Sequence, residues 1–145
     1  MIPAFRKSGL LPVGIHDATW DEVVNRLGFN EHRFKQLLIV RHVLNILITY
    51  GCTEACIAGS FVTNKELPDD VDVCYDNTYM NRRKMNIDYP EFNDIRYGIE
   101  VQQKKYNSEY YAYNDDDSYF LNFFQSDGLD NPMGIVKLTF NGKPL

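Results

Sequence analysis

Two aspartates stand either side of one valine in Asp70-Val71-Asp72-Val73. On an extended strand, side chains at i and i+2 share a face. Carboxylates placed that way repel each other unless a cation lies between them. Hard oxygen donors of this kind suit Mg²⁺ or Mn²⁺, which bind a few carboxylates and take substrate phosphates as further ligands. Val71 and Val73 point the other way and can anchor the strand in a core. A complementary group precedes the pair. Gly59-Ser60 directly follows the apolar stretch Glu54–Ala58. A Gly-Ser turn lets backbone N–H groups come close to a phosphate, and the Ser60 hydroxyl can donate to it. Lys65 is a further candidate for a phosphate contact. Taken alone, Asp70 and Asp72 also read as solvated charges on a strand edge or turn.

Other chemistries find less support. An EF-hand needs oxygen donors at alternate positions and a glycine at the sixth, whereas Cys74 and Tyr75 fall in those places. Cys52, Cys56 and Cys74 have no base beside them in sequence, and no C-x-x-C occurs. His16, His32 and His42 lie too far apart for zinc-ligand spacing. His42 falls inside a helical stretch, where packing or a hydrogen bond explains it. Tyr106, Tyr110, Tyr111, Tyr113 and Tyr119 crowd the chain near Phe120, Phe123 and Phe124. They read as core packing or as a base-stacking platform. Asp115-Asp116-Asp117 reads as a solvated turn. Arg82-Arg83-Lys84 and Lys104-Lys105 read as solvent-facing clusters.

The elements that must hold these groups follow from capping and periodicity. Thr19 with Glu22 forms a capping box for a helix from Trp20 to about Leu27, closed by Gly28. Asn30 caps a second helix over Glu31–Tyr50, with Phe34, Leu37, Leu38, Leu44, Leu47 and Ile48 at helical spacing and Gly51 beyond its end. Glu54–Ala58 and Val71–Tyr75 read as strands, and Pro68 interrupts the chain between them. Residues 77–94 read as a loop or short helix. Arg96–Gln102 and Glu109–Tyr113 are further strands. Asp117 or Ser118 caps a helix carrying Phe120, Phe123 and Phe124, and Gly134–Phe140 is the last strand. Residues 1–18 form an extended lead punctuated by Pro3, Gly9, Pro12 and Gly14. The fold class is α/β (α+β): a small mixed β-sheet backed by helices, in a single domain over 1–145.

Composition agrees with that class. The 145 residues are 44% hydrophobic and 24% charged, ordinary values for a globular domain. The net charge of −5 lacks the basic footprint of a general nucleic-acid binder and disfavours an anionic membrane. No stretch approaches a membrane span, and the N-terminus lacks the apolar core of a secretory signal. Three cysteines in a chain of this size suggest reduced thiols and a cytoplasmic setting.

Ile57-Ala58-Gly59-Ser60, nine intervening residues, and Asp70-Val71-Asp72-Val73 together resemble the signature of the polymerase-beta-type nucleotidyltransferase superfamily. The wider text is similar to a small bacterial nucleotidyltransferase-like family. That likeness lies in Ile2-Pro3-Ala4-Phe5, Gly9-Leu10-Leu11-Pro12, Gly14-Ile15-His16-Asp17-Ala18-Thr19-Trp20, Gly59-Ser60-Phe61-Val62-Thr63 and Gly134-Ile135-Val136-Lys137-Leu138. The resemblance implies a metal-dependent nucleotidyl transfer from a nucleoside triphosphate to an unknown acceptor, with protein and RNA both open, and with Mg²⁺ or Mn²⁺ as cofactor. Asp70 and Asp72 would be metal-binding and catalytic carboxylates, and Gly59 and Ser60 the phosphate-holding turn. A third carboxylate normally comes from a later strand flanked by hydrophobic residues, and Glu100 in Gly98-Ile99-Glu100-Val101 fits that position. It would complete the metal site and help deprotonate the attacking hydroxyl. Glu stands there in place of the commoner Asp, and as a surface charge it has an ordinary explanation. The alternative function is a non-catalytic nucleotide-binding or protein-interaction module, such as one component of a toxin–antitoxin or phage-defence pair. The missing acceptor domain favours that alternative; the three carboxylates favour the enzyme.

Overall fold

A computed structural model describes residues 1–90, 106–129 and 131–145, together with the backbone of 99–101. Its strands are β1 (Ile15–Asp17), β2 (Glu54–Ala58), β3 (Asp70–Asp76), β4 (Ile99–Val101), β5 (Asn107–Tyr113) and β6 (Ile135–Thr139). They form one mixed sheet in the order β1-β6-β2-β3-β5-β4. The pairs β1–β6 and β3–β5 are parallel; the other three pairs are antiparallel. This is the small α+β architecture that the sequence pattern predicts.

Helices α1 (Trp20–Leu27) and α2 (Glu31–Thr49) cover one face of the sheet. Both start where the caps place them. Glu22 N donates to Thr19 Oγ1 at 3.2 Å and Thr19 N to Glu22 Oε1 at 3.4 Å, completing the capping box. Arg33 N donates to Asn30 Oδ1 at 2.8 Å. The main core lies between these helices and Ile57, Val71, Val73 and Val136, all fully buried. A smaller apolar cluster sits on the opposite face, where Cys56, Ala58, Cys74, Tyr113 and Ile135 meet Phe120, Leu121 and Phe124. It is covered by the five-residue helix α4 (Tyr119–Phe123), which follows α3 (Arg82–Asp88) in chain order.

The structure revises several expectations. The face that α2 buries includes Arg33, Gln36, Val40 and Val43, while Phe34 and Leu38 are exposed. His42, for which packing or a hydrogen bond is expected, is exposed. A helix with apolar residues on most sides gives a weak directional signal, and two buried polar residues settle the rotation here. The extended lead ends in β1, whose three residues become a strand by pairing with β6, a partner far along the chain. Of the strand expected over 96–102, the described part is Ile99–Val101; the rest lies outside the described residues. No helix among the described residues is long and apolar enough to cross a membrane.

Candidate metal and phosphate site

Strand β3 alternates as expected. Val71 and Val73 are buried against α2's side of the sheet, and Asp70 and Asp72 stand half-buried on the other. The parallel pairing of β3 with β5 sets Asp72 level with Glu109 and Asp70 level with Asn107. One carboxylate oxygen from each of Asp70, Asp72 and Glu109 lies within 4.8 Å of the other two. Glu109 therefore joins the pair as a third carboxylate that the sequence reading did not single out. Its signal was present in the alternation of Asn107, Glu109, Tyr111 and Tyr113 along β5. The parallel partner that brings it to Asp72 was not.

Glu100 falls in β4 directly opposite Glu109 in the antiparallel β4–β5 register. Its side chain lies outside the described residues.

Burial pushes the Asp72 carboxyl up to about 7, and the negative charges of Asp70 and Glu109 add to the shift. Glu109 is oriented by Tyr111, whose hydroxyl donates to its Oε2. The Tyr111 ring is in turn held by Phe120 and Phe124, with centroids 4.8 and 5.2 Å away. Burial and this bond to Glu109 both raise the Tyr111 hydroxyl above its ordinary value.

Gly59 and Ser60 open a single turn of 3₁₀ helix, Gly59–Val62, at the end of β2. Gly59 has φ +71°, and a Cβ at this position would collide with the Asp72 carboxylate. Glycine is thus required twice, by backbone conformation and by the close approach of the aspartate. The Ser60 carbonyl accepts from Thr63 Oγ1 at 2.6 Å, which closes the turn. Gly59, Ser60 and Asp72 line a cleft of about 450 Å³.

Lys65 is exposed and does not line that cleft; its backbone carbonyl accepts from Arg33 Nη1 at 2.6 Å. That bond belongs to a system that fixes the whole segment between the Gly-Ser turn and β3. Arg33 also donates to the carbonyls of Leu27 and Phe61. Asn30 Nδ2 donates to the Glu66 carbonyl at 2.7 Å, and His32 Nε2 and Gln36 Nε2 both donate to Pro68 O at 2.8 Å. The Arg33 guanidinium carbon lies 4.3 Å from the ring centroids of both Phe29 and Phe61. Among the described residues no carboxylate forms an ion pair with Arg33, and burial draws its guanidinium down to about 10. The N-terminal half of α2 thus sets the turn against the aspartates.

The donor set fits a hard divalent cation. Three carboxylates crowd together, and burial raises the carboxyl of one of them, Asp72, well above its ordinary value. Cys52, Cys56 and Cys74 are free and buried, and burial pushes the Cys52 and Cys56 thiols up to about 12, which suits packing rather than nucleophilic chemistry.

The family model of DUF6932 matches residues 3–139. The chain belongs to DUF6932, a family of unknown function. The matched DUF6932 region contains the Gly59-Ser60 turn, all three clustered carboxylates and α4. No curated protein and no solved structure gives a match.

Proposed function

We propose that this DUF6932 chain is a metal-dependent nucleotidyltransferase, moving a nucleotidyl group from a nucleoside triphosphate to the hydroxyl of an unidentified acceptor. One observation carries this reading: the carboxylates of Asp70, Asp72 and Glu109 converge within 4.8 Å, and Asp72 abuts the Gly59–Ser60 turn. Asp70, Asp72 and Glu109 would hold Mg²⁺ or Mn²⁺, which would supply positive charge to the triphosphate and to the departing pyrophosphate. The Gly59–Ser60 turn offers N–H groups and the Ser60 hydroxyl to a phosphate. Tyr111 fixes the orientation of Glu109, so that a carboxylate oxygen can accept the proton of the attacking hydroxyl. The new bond joins that hydroxyl oxygen to the α-phosphorus, and the bond to pyrophosphate breaks. Glu100, opposite Glu109 on β4, is the other candidate for the third position. Buried, unpaired thiols are in keeping with a cytoplasmic setting.

Labelled nucleoside triphosphates incubated with the protein, Mg²⁺ or Mn²⁺ and a bacterial lysate test the proposal. Label should pass to a lysate component with wild type and not with Asp72→Asn. A wild type that labels nothing under either metal sinks the enzyme reading. The second reading is a non-catalytic nucleotide-binding or protein-interaction module, for instance within a toxin–antitoxin or phage-defence pair. It is favoured by one feature: among the described residues no Lys or Arg lines the cleft. In that case association with the partner survives Asp72→Asn.

A further inference from the structure

The cleft beside Asp72 is chemically divided. From β3 comes Asp72 and from the turn after β2 come Gly59 and Ser60, a polar surface suited to metal and phosphate. From α4 and the segment after it come Phe123, Phe124 and Met133, an aromatic and apolar surface. Phe123 is 53% exposed and Tyr119 on the same helix is exposed too, while Phe120, Leu121 and Phe124 pack on the sheet. Its ring is held by two neighbours: Tyr119 lies nearly parallel at 6.0 Å and Phe124 edge-on at 5.1 Å. The ring is therefore fixed in direction while much of its surface stays open.

We infer that Phe123 is the stacking surface for the nucleobase of a nucleoside triphosphate whose phosphates lie at the Gly59–Ser60 turn. The inference rests on the nucleotide-binding reading above and adds the site and selectivity of base recognition. A cleft of about 450 Å³ is in the size range of small-ligand pockets. A ligand that satisfies both surfaces must join a flat apolar ring system to a metal-bound polyanion, and a nucleoside triphosphate does so. Without a Lys or Arg among the described lining residues, the aromatic surface must supply affinity that phosphate contacts with basic side chains would otherwise give.

Among the described residues, this surface offers few polar side chains that can read a base edge. The acidic side chain in this part of the cleft, Asp127, is already committed: Oδ1 accepts from Leu129 N at 2.8 Å and Asn131 N at 3.2 Å, and Oδ2 from Asn131 Nδ2 at 2.9 Å. Ser126 Oγ accepts from Gly128 N at 3.3 Å. Recognition by the face of a ring tolerates every base, and larger rings gain more. ATP and GTP therefore bind alike, and both bind more tightly than CTP and UTP.

The test compares Mg²⁺-dependent binding of ATP and of inorganic tripolyphosphate, by calorimetry without acceptor, in wild type, Phe123→Ala and Phe123→Leu. Wild type should bind ATP more tightly than tripolyphosphate. Both variants should weaken ATP by roughly 5- to 150-fold, the range that base–aromatic stacking supplies, and leave tripolyphosphate unchanged. Phe123→Leu keeps apolar bulk on α4, so it separates loss of the ring face from loss of packing. ATP affinity that is unchanged in both variants overturns the stacking role while leaving the phosphate site intact. A strong preference for one base over the other three overturns the face-only recognition. Failure of wild type to bind either ligand with Mg²⁺ overturns this inference and the nucleotide reading together.

Discussion

Glu109 on β5 stands level with Asp72 on β3, in the parallel register that pairs the two residues directly. With Asp70 they place three carboxylates on one face of the sheet, and metal binding should therefore be linked to folding. Mg²⁺ or Mn²⁺ bound only by the folded chain raises stability by mass action, by about 2.7 kcal/mol at a hundred-fold excess over Kd. We expect the melting temperature of wild type to rise with added cation. The double variant Asp70→Asn/Asp72→Asn should lose the response while remaining folded, and Glu109→Gln should lose most of it. Glu100→Gln should keep it. The reverse pattern for the two glutamates, measured by thermal unfolding with and without cation, would move the third ligand to β4.

Burial of Asp72, reinforced by the negative charges of Asp70 and Glu109, predicts a pH dependence without metal. The Asp72 carboxyl is raised from 3.8 to about 7 in the folded chain. A raised folded-state value means that the proton is held more tightly in the native protein. The associated stability is complete below about pH 4 and is lost as pH rises through about 7. Each unit of difference corresponds to about 1.4 kcal/mol, so the loss between about pH 5 and 8 is of the order of 2–4 kcal/mol. Urea denaturation in chelator should show wild type losing more stability over this interval than Asp72→Asn. Saturating Mg²⁺ should remove the difference. Equal slopes for the two proteins would show that Asp72 titrates normally.

Much of this site is written locally in the chain, and the remainder depends on pairings between distant segments. The capping residues Thr19 and Asn30 act within a few residues of themselves, so both helix starts are legible. The alternation of Asp70, Val71, Asp72 and Val73 likewise fixes which side chains share a face. Gly59 is legible as a turn residue, but its contact with Asp72 requires β2 and β3 to be adjacent. Glu109 depends on a parallel register that no local pattern encodes. Arg33 is the least legible of all. A charged residue on a helix is ordinarily expected in solvent, yet here it is fully buried because three backbone carbonyls converge on it.

Gly59 offers a test of turn geometry. Gly59→Ala must place a side chain at φ +71° and against the Asp72 carboxylate. The left-handed conformation alone costs about 1–2 kcal/mol. Gly142 is the control, since it has φ +82° and open space around the position of a Cβ. Gly142→Ala should therefore lose only the conformational part. Gly59→Ala should lose more stability than that, and also the Mg²⁺-dependent rise in melting temperature. Equal losses in the two variants, with the metal response retained by both, would mean that the Gly59–Asp72 contact can relax at no cost to the site.

Arg33 carries the last prediction. Its guanidinium satisfies the carbonyls of Leu27, Phe61 and Lys65 and lies against the rings of Phe29 and Phe61. Arg33→Met preserves much of the apolar stem but leaves those carbonyls without their donor. An unsatisfied buried polar group costs about 1–3 kcal/mol, and the three acceptors share one donor group. We expect a net loss of the order of 3–5 kcal/mol in urea denaturation. Arg33→Lys should recover only part of it, because a single ammonium cannot reproduce the planar fork of five N–H donors. A loss below about 1 kcal/mol for Arg33→Met would show that the segment from Phe61 to Pro68 holds its place without α2. The Gly59–Ser60 turn would then owe its position against Asp72 to the β2–β3 pairing alone.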